Sequence, residues 1–415
     1  MSYESHAVLV ALVGVILGFG SADSAHEGCV FKVTNHTTEN NQPVPLFNQS
    51  SDYELAIPHH GLIHLRPGQN ISLLCFGNRN YVRQTNSNIT TVTCLRGDKV
   101  QLYKHSHKFE EVQCRHSVRG NVRATDKECG RESGRIYQIG YPVSRTEWIT
   151  LISTCYVPAE GRTLYTRHTL YGEEIKYASK AKYRPAWSPS GQYENITASI
   201  AYQQVYQKGT LSRILGSSIL ANNFINNNSF FAKGHLSPHA DFILASAQFS
   251  TYFYINAAPQ WQKINGANWK SIESTVRNLG KFYGTLEIIT GTHGILALFD
   301  KQNNPHDIYL GQRNTLPVPK YLWKIVLNKA TQEAIVFIIL NNPFIEAVND
   351  EVFCENICEQ VGFDKTSWKD PSSGLVFCCT IAEFQKVVKT APKLDVSGVL
   401  VQQSLLWEPS LLNVV

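Results

Sequence analysis

The 415-residue chain holds 14 histidines, and a single histidine is more often structural than catalytic. One is set apart by its neighbours. The stretch Phe231-Ala232-Lys233-Gly234-His235-Leu236-Ser237-Pro238-His239-Ala240-Asp241-Phe242 places an imidazole beside a cation and a glycine. An imidazole titrates near neutral pH and can accept or return a proton during a reaction. Gly234 has no Cβ, so the backbone there can come close to a ligand. Further on, Asn265-Gly266-Ala267-Asn268-Trp269 precedes Glu273. Eight residues along a regular α-helix return to within about 80° of the starting direction, so Asn265 and Glu273 share one face. Both side chains carry oxygen atoms. Asn265 also reads as a helix cap, His239 as a packing or surface residue, and Trp269 as core. The run Lys176, Lys180, Lys182 and Arg184 before Trp187 is either a site for an anion or a solvated basic loop.

Taken with Asn256-Ala257-Ala258-Pro259-Gln260, these motifs resemble the DNA/RNA non-specific endonuclease family, whose site is a ββα-metal finger. The family pattern is an Asp-Arg-Gly-His-like motif, an Asn-x-x-Pro-Gln segment, and an Asn at a helix start with a Glu two turns later. The match runs from about 135 to 345 and is densest over 231–273. It is most similar to the secreted arthropod branch, which carries an extra N-terminal region and a Lys-Gly-His form of the motif. The resemblance implies hydrolysis of phosphodiester bonds in DNA and RNA, including duplexes, with little sequence preference. It implies His235 as general base for water and Asn265 as ligand of Mg2+, with Mn2+ as a substitute. Glu273 would hold the metal-bound waters, and Asn256 and Gln260 would support the site and substrate by hydrogen bonding. Arg184 is the candidate cation for the phosphate, with Lys182 and Lys233 adding positive charge. Such an enzyme reads the phosphate backbone rather than the bases.

The chain departs from the pattern at two positions. Ala232 and Lys233 stand where the family has Asp and Arg. Lysine keeps the charge but loses the bidentate fork, and the missing acid removes a partner for that cation. With His235, Asn265 and Glu273 in register, an active enzyme is expected. The alternative is a catalytically degenerate member of the same fold that binds nucleic acid or protein, and metal dependence separates the two.

The elements that position these residues follow from periodicity. Trp269, Ile272, Val276 and Leu279 recur at helical spacing and predict a helix over 266–279. Residues 286–290, 323–327 and 334–340 read as strands. The expected fold is α+β: a central, largely antiparallel sheet flanked by helices and bearing the ββα-metal finger over 131–415. Before it, residues 26–130 form a disulfide-bonded β-rich module, read from strand segments among Gly, Asn and Pro turns. That module carries no readable chemistry and is a possible protein-binding extension. The tail from 388 has no assigned role.

Composition is consistent with secretion. Residues Ala7 to Gly20 form an apolar run ended by Ser21-Ala22-Asp23-Ser24-Ala25, the h-region and cleavage region of a signal peptide spanning 1–25, although no Lys or Arg precedes the run. The run is short for a transmembrane anchor, and no membrane association is expected. Ten cysteines divide into Cys29, Cys75, Cys94, Cys114, Cys129 and Cys155, and Cys354, Cys358, Cys378 and Cys379. Each set is even and can close on itself, and disulfides are favoured over zinc in the late set. Six glycosylation sequons start at Asn35, Asn48, Asn70, Asn88, Asn195 and Asn227. Apolar content of 43% with 17% charged residues excludes a disordered chain, and the net charge of +5 is too small to identify nucleic acid by itself.

Overall fold

The computed structural model describes residues 28–32, 41–49, 52–131, 134–181, 183–189, 198–345 and 349–402. The expected signal peptide, Lys182, the sequons at Asn35 and Asn195 and the last part of the tail lie outside the described residues.

A nine-stranded sheet organises the chain. Its order is Val376–Cys379, Glu333–Leu340, Tyr321–Asn328, Thr285–His293, Arg162–Tyr171, Trp148–Val157, Gly134–Pro142 and Asn121–Cys129, all antiparallel, with Gly398–Val399 added parallel to Glu333–Leu340. All three expected strands lie within it. Every residue of Tyr321–Asn328 is buried. A strand covered on both faces loses the alternation of a half-exposed one, which explains its near-continuous apolar run. One face packs Val326, Ile335 and Phe337 with Trp261, Trp269 and Ile272. The other packs Trp323, Val336 and Ile338 against Ile381, Phe384 and Val388 of the C-terminal segment.

The N-terminal region folds as the β-rich unit expected. Asp52–Leu55, Val44–Gln49, Asn70–Leu74, Ile89–Arg96, Lys99–Leu102 and His105–Lys108 form a six-stranded antiparallel sheet in that order. The hairpin of Asn121–Cys129 with Gly134–Pro142 straddles residue 130, so the large sheet begins ahead of residue 131. The two sheets share a core, in which Leu46, Leu73 and Val92 meet Tyr137, Ile139, Tyr141, Phe242, Phe253 and Ile255.

All ten cysteines are paired: Cys29–Cys94, Cys75–Cys114, Cys129–Cys155, Cys354–Cys379 and Cys358–Cys378. The late cysteines are therefore staples and leave no thiolate for zinc. The four described sequon asparagines, Asn48, Asn70, Asn88 and Asn227, are exposed. Among the described residues no helix is long and apolar enough to cross a membrane.

Cys358–Cys378 closes a sequence separation of 20. Replacing both cysteines with alanine is expected to cost about 3 kcal/mol of unfolding free energy, read as a lower urea midpoint at unchanged slope. An unchanged midpoint would mean that packing alone holds this segment.

Candidate active site

Strand Phe231–His235 pairs antiparallel with Ala257–Trp261, placing His235 opposite Ala257 and Ala232 opposite Gln260. The chain then turns through Gln262–Ile264 into a widened π-type turn over Asn265–Trp269 and on into helix Lys270–Tyr283. This is the expected strand–strand–helix finger, with the helix starting earlier and ending later than 266–279. Trp269, Ile272, Val276 and Leu279 are buried as the stripe predicted. Asn268 donates to the Ser367 and Gly374 carbonyls at 2.6 and 2.8 Å, which ties the turn to the disulfide-stapled C-terminal segment.

The His235 ring is wedged between Trp187, at 4.6 Å between centroids, and Tyr252, edge-on at 4.9 Å. Its Nε2 lies 3.3 Å from Thr251 Oγ1, which donates its own proton to the Gln248 carbonyl at 2.8 Å. A hydroxyl has one proton to give, so Nε2 must be the donor to Thr251. That assignment leaves Nδ1 unprotonated, with its lone pair as the ring's acceptor. Burial, then the nearby His239 and Arg184 charges, push the His235 pKa down to about 3. An imidazole so placed stays neutral well below the near-neutral range of an ordinary histidine.

Asn256 is fully buried and acts behind the histidine. Its amide donates to the Ser237 and Thr251 carbonyls, both at 2.8 Å, and accepts from Ser237 N–H at 2.9 Å. It thus locks the chain leaving His235 to the segment holding Thr251, a positioning role rather than contact with substrate. Gln260 is also fully buried, and its amide nitrogen and oxygen have no hydrogen-bond partner among the described residues. It cannot touch substrate, contrary to expectation. Gly234 is needed for it: a Cβ there would sit 2.5 Å from Gln260 Oε1. The glycine makes room for a buried side chain, where sequence reasoning gave it a substrate-facing role. Ala232 stands across from this unsatisfied amide, where the family pattern has an acid. Lys233 packs its ammonium 5.5 Å from the Tyr202 ring centre, and burial lowers its pKa.

Asn265 has helical dihedrals (φ −58°, ψ −41°) and closes the Gln262–Ile264 turn through its main-chain N–H to the Gln262 carbonyl, while its side chain caps no helix N-terminus. It is partly exposed, and its side-chain amide makes no hydrogen bond among the described residues. A widened turn advances less than 100° per residue, so Glu273 lies nearer the Asn265 face than a regular α-helix would place it. The partly exposed Glu273 carboxylate has no hydrogen bond or ion pair among the described residues, and burial pushes its pKa up to about 7 against the pull of Lys324. Two oxygen-bearing groups without protein partners on one helix face fit a hard cation with its waters. Among the described residues no group of three or more His, Cys, Asp or Glu could hold a metal, which rules out a carboxylate cage there but not a single amide ligand.

Beneath the finger lie charges that sequence reasoning missed. Lys324 is fully buried, donates to Thr290 Oγ1 at 2.6 Å and the Leu236 carbonyl at 3.3 Å, and faces the Trp269 ring at 5.1 Å. Asp241 meets His168 Nε2 and Arg277, each at 3.0 Å, and His168 Nδ1 is 3.0 Å from Ser237 Oγ. Burial alone would raise the Asp241 pKa, but the His168 hydrogen bond with the Lys324 and Arg277 charges leaves it below the usual range. Arg184 is exposed, has no ion pair among the described residues, and is near enough to depress both His235 and His239. His239 lies closer to the chemistry than its surface reading implied. Trp187, Thr251 and Tyr252 complete the wall. Of these the sequence marked only Trp187, as the landmark following Arg184.

A family model described as DNA/RNA non-specific endonuclease matches residues 132–384. A salivary endonuclease of Lutzomyia longipalpis is 28% identical over 98% of this chain and 94% of its own length. One from Culex quinquefasciatus is 24% identical over 80% and 81%, and the salivary protein Tsal2A of Glossina morsitans morsitans is 24% identical over 93% and 98%. Among solved structures, the EndoG/EndoGI complex aligns loosely, with a TM-score of 0.36 and 14% identity over 60% of this chain and 88% of that one.

In 15N-labelled protein, His235 is expected to stay neutral with its proton on Nε2 throughout the range where an ordinary histidine, of pKa 6.5, titrates. A His235 resonance titrating near 6.5 would contradict both the burial effect and the Thr251 contact.

Proposed function

Since the chain belongs to the DNA/RNA non-specific endonuclease family, we propose that it is a secreted, magnesium-dependent endonuclease that hydrolyses DNA and RNA, duplexes included, with little sequence preference. The observation that carries the reading is the fixed imidazole of His235, neutral and with Nδ1 unprotonated. Hydrolysis of a phosphodiester needs a base to take the proton of attacking water and positive charge for the crowded anionic transition state. His235 Nδ1 takes the proton. Asn256, through Thr251 and Ser237, keeps the ring aimed. Arg184 and Lys233 face the phosphate. Asn265 would hold the cation, with Glu273 orienting its waters, and Mn2+ could replace Mg2+. When bound, the cation supplies further positive charge at the scissile phosphate.

Contact through phosphates predicts strong salt dependence and little preference among sequences. Secretion, with removal of residues 1–25, is consistent with five disulfides. The second reading, a binding protein without catalysis, is favoured only by Ala232 and the unsatisfied Gln260 amide behind it.

The test is digestion of circular plasmid and of duplex RNA with magnesium or with chelator. Cleavage is expected only with metal, with a loss of two or more orders of magnitude in His235→Ala and a weakened metal response in Asn265→Ala. Chelator-resistant binding without any cleavage would instead favour the second reading.

A pH series separates the two titrating groups. A proton on Glu273 competes with the cation's waters as pH falls through about 7, whereas His235 remains neutral down to about 3. Any loss of activity between pH 7 and 5 should therefore be recovered by raising magnesium. A loss that excess magnesium cannot restore would assign the acid limb to His235.

A further inference from the structure

Arg119 lies between the N-terminal sheet and strand Asn121–Cys129, ahead of the family-matched segment that starts at 132. Its guanidinium donates from Nη1 to the Ala186 carbonyl at 3.1 Å and from Nη2 to the Tyr252 carbonyl, and it lies 4.3 Å from the Phe253 ring centre. It has no carboxylate partner among the described residues. The two carbonyls belong to different segments. Ala186 sits between Arg184 and Trp187, whereas Tyr252 follows Thr251, the hydroxyl that fixes the His235 tautomer. A short bridge also joins these segments: Ser188 N–H donates to the Tyr252 carbonyl at 2.9 Å, and Tyr254 N–H to the Ser188 carbonyl at 3.0 Å. The next residue secures the same place, since Gly120 N–H donates to Ser250 Oγ at 2.8 Å. A Cβ at Gly120 would lie 2.6 Å from the Gly140 carbonyl oxygen, so the approach tolerates no side chain.

We propose that Arg119 is a positioning residue of the active site, supplied by the N-terminal region, which holds the Arg184–Trp187 segment against the Thr251–Tyr252 segment so that the phosphate-facing cation and the His235 ring act on one phosphate. A forked guanidinium can bridge two carbonyls in a fixed geometry; a lysine ammonium is a point charge on a flexible stem. This assignment rests on the hydrolytic reading above. It makes the N-terminal region part of the catalytic apparatus rather than an appended binding unit.

Plasmid cleavage by the full chain tests it, comparing wild type with R119M, R119K, R184Q and R119M/R184Q. Displacing the reacting groups by about an ångström costs on the order of a hundredfold in rate. A fall in kcat of about ten- to a hundredfold is therefore expected in R119M, with KM changed less. R119K should fall between R119M and wild type, and added guanidinium should partly rescue R119M. Because Arg119 acts through the Arg184 segment, the double variant should lose little more than R184Q alone. V100A, at a fully buried site in the N-terminal core, should lower the thermal midpoint and leave kcat intact. Circular dichroism at assay temperature checks folding, and if R119M is unfolded, R119K and its double with R184Q carry the comparison. Full kcat in a folded Arg119 variant, or losses that add in the double, overturns the proposal. An inactive wild type overturns the hydrolytic reading itself, and this assignment with it.

Discussion

A buried ammonium is the constraint on which the site's geometry depends. Lys324 has no exposure to water, and an uncompensated charge there would cost several kcal/mol. Its compensation comes from three elements at once. Thr290 belongs to the neighbouring strand, Leu236 directly follows His235, and Trp269 opens the finger helix. The Asp241 and Glu273 carboxylates add opposite charge. Shifting any of these elements would strip the ammonium of partners it cannot replace. The sheet thereby fixes the finger strand relative to the finger helix, and with it the distance between the imidazole and Asn265.

What was legible in the sequence was local. The finger's residues lie within about forty positions of each other, and the helical stripe from Trp269 to Leu279 and the apolar strands announced their own periodicity. The cysteine sets were legible as sets because no cysteine lies between 155 and 354. What stayed hidden depends on contacts between distant residues. Lys324 sits inside a run otherwise read as a buried strand, and its partners lie 34 and 88 residues away. Asp241 and His168 are 73 apart. The depressed pKa of His235 arises from burial between Trp187 and Tyr252, which no spacing encodes. Gly234 and Gln260 were correctly marked as special for the wrong reason, because one opens space for the other in the interior rather than toward a ligand.

The N-terminal region has no chemistry of its own in sequence, yet it is structurally continuous with the rest. It shares a core with the large sheet, and the Cys129–Cys155 bond and the hairpin around residue 130 cross the division expected between residues 130 and 131. The loop at its far edge is held as well: the main-chain N–H groups of His60 and Gly61 donate to the buried Glu174 carboxylate at 2.9 and 3.0 Å. That contact lies on the segment leading to Arg184.

The C-terminal disulfides have a consequence beyond stability. Asn268 hangs the start of the finger helix from the Ser367 and Gly374 carbonyls, within a segment kept in place by Cys354–Cys379 and Cys358–Cys378. The start of the finger helix, three residues beyond Asn265, therefore depends on an oxidising environment for its support. A reducing environment would open both bonds and loosen this mooring. The fold thus ties the geometry of this turn to the redox state of its surroundings.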